Sequence, residues 1–348
     1  MKIAIDVSQI VYGTGVSVYT RRLVKGLIKI DKENDYIVFG GSLRRRKELK
    51  AFGAKVFPIS PTLADIIWNR LHIMPVEFLV GGVDVFHSSD WTQPPGKAFK
   101  VTTVHDLIPL KFPKFIHPKI LAVHRRRLEW VKKEVDRIIV PSNSAKDDLI
   151  KFGVEEERIK VVPEANSVTK ANEKTVAKVK RRFNIHGDYL LAIASSFYKN
   201  TERVMKAFDL SSAGKNLKLV VIGRQSNTAI VERRGVILTG FVNESDYAAL
   251  CSGAQTLVYP SLYEGFGIAI LDGFACETPV VTSNISSMPE VAQDATVLVD
   301  PYSVGSIAEG IQTALRSRKS LIKKGLKRVK NFSWENTARA TLQVYQEA

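Results

Sequence analysis

Short apolar runs rich in Val, Ile and Leu recur along the chain, separated by stretches where apolar residues return every three or four positions. "KIAIDV" (2–7), "DYIVFGG" (35–41), "AKVFPI" (54–59), "VDVFHSS" (83–89), "KVTTVHD" (100–106), "DRIIVPS" (136–142) and "IKVVPEA" (159–165) read as strands. The pattern predicts helices over Val18–Ile30 and Pro118–Val135. A second series follows: "YLLAIASS" (189–196), "LKLVVIG" (217–223), "GVILTGF" (235–241), "QTLVYPS" (255–261), "TPVVTSN" (278–284) and "ATVLVD" (295–300). Strand–helix alternation with strands apolar on both faces implies parallel sheets covered by helices. Two series imply an α/β protein of two doubly wound domains. The polar stretch 163–187 holds the divide, placed at 168/169. Open α/β sheets bind ligands beyond the carboxyl ends of their strands, so a cleft between two facing domains is the expected site.

Composition narrows the class. The chain has 348 residues, 45% hydrophobic and 25% charged, the balance of a soluble globular protein. No apolar run nears the roughly 20 residues that span a bilayer. The N-terminal "MKIAIDVSQI" lacks the uninterrupted apolar core of a secretion signal, which leads us to expect a cytoplasmic protein. Cys251 and Cys276 form no CxxC and have no paired His, so buried free thiols are expected and no metal site is. The net charge of +16 favours an anionic partner: nucleic acid, an anionic membrane surface or a phosphorylated substrate. Its densest runs are 42–50, 124–133 and 316–330.

The candidate chemistry centres on "SLYEGFGIAILDGFA" (261–275). It follows a strand and opens a helix at Ile268. N–H groups at a helix start are unpaired and carry positive partial charge. Gly265 and Gly267 would let a phosphate approach them, with Phe266 between. Glu264 would then face whatever that phosphate carries, and Asp272 could reach another part of the same ligand. The plainer reading is a tight turn with an acid complementing the helix dipole. His105 and Asp106 end an apolar strand, the expected active position, where a purely structural histidine is the plainer reading. Gly13 and Gly15 lie in a loop between strand and helix that is no GxGxxG fingerprint. Lys199, with Ser195 and Ser196 before it, follows the first strand of the second series and could neutralise a phosphate. No DxD, GxSxG or P-loop motif occurs.

In this order the segments resemble the retaining glycosyltransferases of family 4, whose fold is GT-B: two Rossmann-like domains facing across a cleft. The resemblance rests on "IDVSQIVYGTGVSVYTRRL", "VTTVHDLIPLKF", "DRIIVPSNSAKDDLIKFGV", "YKNTERVMKAF" and the stretch from "VILTGF" to "SSMPEV", with two acids separated by seven residues around E-G-F-G. It implies residues 1–168 on the acceptor side, 169–328 holding a nucleotide-sugar donor, and 329–348 as a helix returning to the first domain. Glu264 would contact the donor hexose, and N–H groups of Gly265, Phe266, Gly267 and Ile268 would hold sugar and phosphate oxygens. Lys199 would meet the diphosphate, His105 the donor sugar, and the Gly13–Gly15 loop would close over the phosphates. The donor is a substrate, so no cofactor and no metal are implied. Two positions depart from the family. The second acid, usually a ribose-binding Glu, is Asp272, and the arginine that often precedes the lysine has no counterpart.

The resemblance is to O-antigen-type mannosyltransferases, which puts GDP-mannose first among donors and UDP-glucose next. A glycan or lipid-linked acceptor is expected, with no specific nucleic acid. The stretch 119–137 mixes Ile120, Leu121, Leu128, Trp130 and Val131 with clustered Arg and Lys, as a helix resting on the anionic inner face of a membrane would. The rival from another class is a catalytically silent, basic GT-B protein that binds nucleic acid or anionic glycans. A sugar-phosphate synthase or phosphorylase on the same fold is the nearer rival.

Overall fold

All thirteen apolar runs form strands in the computed structural model, which describes residues 1–13, 15–194, 196–211, 217–223 and 234–348. The chain divides into a unit of residues 1–164 with 333–348 and a unit of 165–332. The first unit therefore ends four residues before the divide placed at 168, and takes back the last sixteen residues.

In the first unit, β1 (Lys2–Asp6), β2 (Asp35–Gly41), β3 (Lys55–Phe57), β4 (Val85–Ser88), β5 (Phe99–Thr103), β6 (Arg137–Val140) and β7 (Ile159–Val161) form one sheet in the order 3-2-1-4-5-6-7. Every pairing is parallel. Ile3, Ala4, Val85, Phe86, Ile138 and Ile139 are wholly buried, on alternating faces, so no polar alternation shows in the sequence. The order reverses between β1 and β4, the switch point where such sheets bind ligands.

The second unit repeats the plan with β8 (Tyr189–Ile193), β9 (Lys218–Ile222), β10 (Val236–Gly240), β11 (Thr256–Tyr259), β12 (Val280–Ser283) and β13 (Val297–Val299), all parallel, in the order 10-9-8-11-12-13. Its switch point lies between β8 and β11. Those two strands lead directly into the segments carrying Lys199 and Glu264. One face of the sheet packs Tyr189, Leu257, Ile270 and Phe274, and the other packs Leu190, Val281, Ile307 and Ile311.

The terminal helix Trp334–Tyr345 belongs to the first unit. Ala338, Val344 and Tyr345 are buried in the same core as Ile3, Leu23 and Leu27. The approach to helix Gly15–Ile30 is close at Gly26, where an added Cβ would stand 3.1 Å from the Ala338 Cβ and 3.2 Å from the Trp334 carbonyl oxygen.

Candidate functional site

In the second unit the segment after β8 makes one short turn, Phe197–Lys199. Asn200 follows in the left-handed region at φ 61° and starts the helix Thr201–Leu210. Its Nδ2 donates to the carbonyls of Pro260 (3.0 Å) and Pro301 (2.6 Å), while Leu262 N donates to the Tyr198 carbonyl at 2.7 Å. The lysine turn is thus stapled to the loop after β11. Ser286 and Ser287 fasten that loop from below. Ser286 Oγ donates to the Glu264 carbonyl at 2.7 Å, and Ser287 Oγ reaches the carbonyls of Glu264 (3.0 Å) and Phe266 (2.9 Å). Gly267, at φ 96°, turns the chain into the helix Ile268–Ala275; a side chain there would be strained and crowded by Ile270.

These supports bring Lys199 and Glu264 together. Lys199 Nζ donates to Glu264 Oε1 at 2.7 Å, with both side chains about nine-tenths buried. Tyr259, the last residue of β11, donates its hydroxyl to the same Oε1 at 2.7 Å and accepts from Lys199 Nζ. The ammonium also lies 5.1 Å and 4.7 Å from the ring centroids of Tyr198 and Tyr259. Burial draws the ammonium's pKa down, but Glu264 and the two phenols outweigh it, and Lys199 titrates well above an ordinary lysine. The result is a held cation and a held carboxylate beside a helix start, an arrangement able to bind an anion and accept hydroxyl hydrogen bonds. Ser196 lies one turn before Lys199, whose N–H bonds its carbonyl; Ser195 lies outside the described residues.

Asp272 is placed differently. It sits in the second turn of the helix, 2% exposed, and its carboxylate accepts from Ser167 N (2.6 Å), Ser167 Oγ (2.9 Å) and Val168 N (3.2 Å). The structure therefore spends this acid on the chain just after the unit boundary. Burial raises it to about pKa 6, with the Ser167 and Val168 bonds pulling the other way.

In the first unit His105 lies just beyond β5, its Nδ1 2.9 Å from Glu164 Oε1, with the edge of Tyr19 against its ring at 4.5 Å. Burial disfavours the imidazolium, but the hydrogen bond and charge of Glu164 prevail, and the pKa of His105 stands above its ordinary value. Asp106 Oδ1 accepts from Ile108 N at 2.8 Å, where the next helical turn starts. Behind His105, His87 bonds Tyr345 OH at 2.6 Å and Thr103 Oγ1 at 3.0 Å, and Thr103 meets Tyr19 OH at 3.2 Å. Burial lowers the His87 pKa to about 3, so it is neutral. Gly13, at φ 68°, ends the turn before helix Gly15–Ile30; Thr14 between the glycines lies outside the described residues.

The chain matches two families along its length. Residues 13–165 match Glycosyltransferase Family 4 and residues 178–328 match Glycosyl transferases group 1. The chain belongs to the family 4 glycosyltransferases. Among the relatives of this glycosyltransferase, the O-antigen chain mannosyltransferase B of Escherichia coli is 28% identical over 75% of this chain and 74% of its own. The O-antigen chain mannosyltransferase RfbU of Salmonella typhimurium is 31% identical over 57% and 56%. The crystal structure of Anabaena Alr3699/HepE in complex with UDP and glucose superposes over all of both chains with a TM-score of 0.76 at 14% identity, which shows the shared GT-B fold.

Sequence reasoning missed several residues that shape the clusters around Lys199 and His105. Glu164 could have been noticed as an acid following a strand in "VVPEA". Tyr259 reads as a core aromatic, and nothing local marks Asn200, Ser286 or Ser287 as supports. The lipid-facing reading of helix Pro118–Glu134 needs correction. Leu128 and Val131 point into the core, and Trp130 stacks on His72 at 3.5 Å and bonds the Asn69 carbonyl. An amphipathic helix buries its apolar side against its own sheet first. Of the residues named for lipid, Ile120 is exposed and Leu121 half-buried. No described helix is long and apolar enough to cross a membrane.

Proposed function

We propose that the second unit binds the diphosphate of a nucleotide sugar and that the enzyme transfers its hexose, with retention, to a hydroxyl of a glycan or lipid-linked acceptor. The observation that carries this reading is the Lys199–Glu264 pair beside the start of helix Ile268–Ala275. Lys199 and the N–H groups from Gly265 to Ile268 would hold the diphosphate, and Glu264 would accept from hexose hydroxyls. From the first unit, His105 would read a sugar oxygen, and the Gly13–Gly15 loop and Ser196 would add phosphate contacts. Transfer breaks the bond between the anomeric carbon and the diphosphate oxygen. The acceptor oxygen bonds to that carbon, and its proton passes to the leaving phosphate. The fixed cation and helix dipole stabilise the negative charge that develops, a task this chain's own groups can perform without a metal.

The mannosyltransferase relatives favour GDP-mannose as donor. UDP-glucose comes second, since the Anabaena protein has been crystallised with it. A membrane-borne acceptor is supported by the segment 63–78, where Leu63, Ile66, Leu71, Ile73 and Phe78 are exposed, Phe78 at 78%, on a chain of net charge +16. The test is thermal shift with UDP, GDP, ADP and their sugars, with and without EDTA, followed by transfer assays with the donor that binds. A metal-independent shift by one nucleotide and a retained anomeric configuration are expected. No shift with any of them overturns the reading.

A further inference from the structure

We infer that Tyr259 is a positioning residue that holds Glu264 in place when Lys199 turns to an anionic ligand. The inference rests on the donor-site reading above. In the ligand-free arrangement Glu264 Oε1 takes two donors, Lys199 Nζ and Tyr259 OH, each at 2.7 Å. Lys199 Nζ also donates to the phenol oxygen. Among the described residues Oε2 receives no hydrogen bond. The three groups form a closed triangle in which Lys199 is the member with something to gain elsewhere. A diphosphate offers its ammonium more negative charge than one carboxylate that is already shared.

As Lys199 leans toward such a ligand its bond to Glu264 weakens. A carboxylate held by the lysine alone would then be free to rotate. Tyr259 removes that freedom. Its ring is 3% exposed at the end of β11, and its hydroxyl has one proton, directed at Oε1. Glu264 thus stays pinned through Oε1, with its backbone fixed by Ser286 and Ser287, and presents Oε2 to the sugar. The phenol acts on the sugar-reading carboxylate, and its contact with Lys199 is one the ammonium gives up as it turns to phosphate, so its removal should bear little on phosphate affinity.

Tyr259→Phe keeps the ring and removes the hydroxyl, and the discriminating readout is selectivity. Calorimetry would give the affinity of wild type and variant for GDP against GDP-mannose and for UDP against UDP-glucose, alongside melting temperature and kcat. Tyr259→Phe should melt near the wild type and bind the bare nucleoside diphosphate within about twofold. It should bind the matching nucleotide sugar about tenfold more weakly and lose a similar factor in kcat, since a hydrogen bond to a charged group is worth roughly that much. Equal weakening for both ligands, or wild-type selectivity and kcat, overturns the inference. Glu264→Gln separates the two levels. If that variant loses sugar selectivity while Tyr259→Phe does not, the donor site stands and the role of Tyr259 falls. If the wild type prefers no nucleotide sugar over its diphosphate, the donor reading itself falls and takes this inference with it.

Discussion

Asp272 and Ser167 stand 105 residues apart in the chain and are joined by two hydrogen bonds, from the Ser167 N–H at 2.6 Å and its hydroxyl at 2.9 Å. The acid that the family resemblance would assign to a ribose is engaged by the first residues of the second unit. That engagement explains why the unit begins at Ala165, near the start of the polar stretch 163–187 and ahead of the divide placed at 168/169.

Asp272 should make the second unit's stability depend on pH. Its folded pKa of about 6 lies above the ordinary 3.8, so the native state favours the protonated form. The stabilisation is complete below about pH 4 and is lost as pH rises through about 6, a change of roughly 3 kcal/mol. Denaturant melts followed by a probe in the second unit should show Asp272→Asn with a shallower fall over that window. A ribose-reading role would instead appear as weaker nucleotide binding with the pH slope unchanged.

His105 should give the enzyme an alkaline limb. Its folded pKa is raised, chiefly by Glu164 against the opposing effect of burial, so the imidazolium persists above the ordinary 6.5 and is lost as pH rises through the folded value. If the protonated ring serves transfer, kcat/KM falls across that range. Glu164→Gln should move the fall to lower pH. A profile that ignores this substitution would remove His105 from the mechanism.

Glu264→Ala should cut transfer about a hundredfold or more while the far-ultraviolet dichroism stays native. The variant strands a buried ammonium, so a loss of about 3–5 kcal/mol in stability accompanies it. Glu264→Gln keeps the bulk and an oxygen that can accept from Lys199, and so separates the loss of charge from the loss of volume and hydrogen bonds. Near-normal turnover in both would dismiss the glutamate from sugar recognition.

Gly26→Leu should loosen the terminal helix. The new Cβ would meet Ala338 and the Trp334 carbonyl inside ordinary contact distance, at a cost of about 2–3 kcal/mol. The expected signature is a lower melting temperature for the first unit, with nucleotide binding by the second unit unchanged.

Exposed apolar residues of the segment 63–78 should govern attachment to lipid. The wild type should sediment with anionic vesicles at low salt and be released at high salt. Phe78→Glu combined with Ile73→Glu should abolish sedimentation in both. Equal binding by this variant would place the contact elsewhere.

The strands were readable because a parallel strand buried on both faces must be apolar throughout, and such runs stand out against their polar connections. Lys199 and Glu264 were readable for a related reason: both follow strands at a switch point, where chain position alone suggests a ligand. Their pairing was not, because it depends on Asn200 finding the carbonyls of Pro260 and Pro301, 60 and 101 residues away. Glu164 escaped notice because its partner His105 lies 59 residues away, and Tyr259 because a tyrosine ending an apolar strand reads as core. Asp272 was legible as an acid at the right spacing, but spacing does not say which way a carboxylate looks.

The first unit's dependence on residues 333–348 also sets an order of events during synthesis. Residues 165–332 are continuous, and that half can fold once its own sequence has left the ribosome. The half begun first must wait. His87 cannot meet the Tyr345 hydroxyl, nor Gly26 its helix neighbour, until the last residues emerge. The amino-terminal sheet is therefore translated first and completed last, and a released chain ending at residue 332 would carry a complete 165–332 half and an amino-terminal half without its helix Trp334–Tyr345.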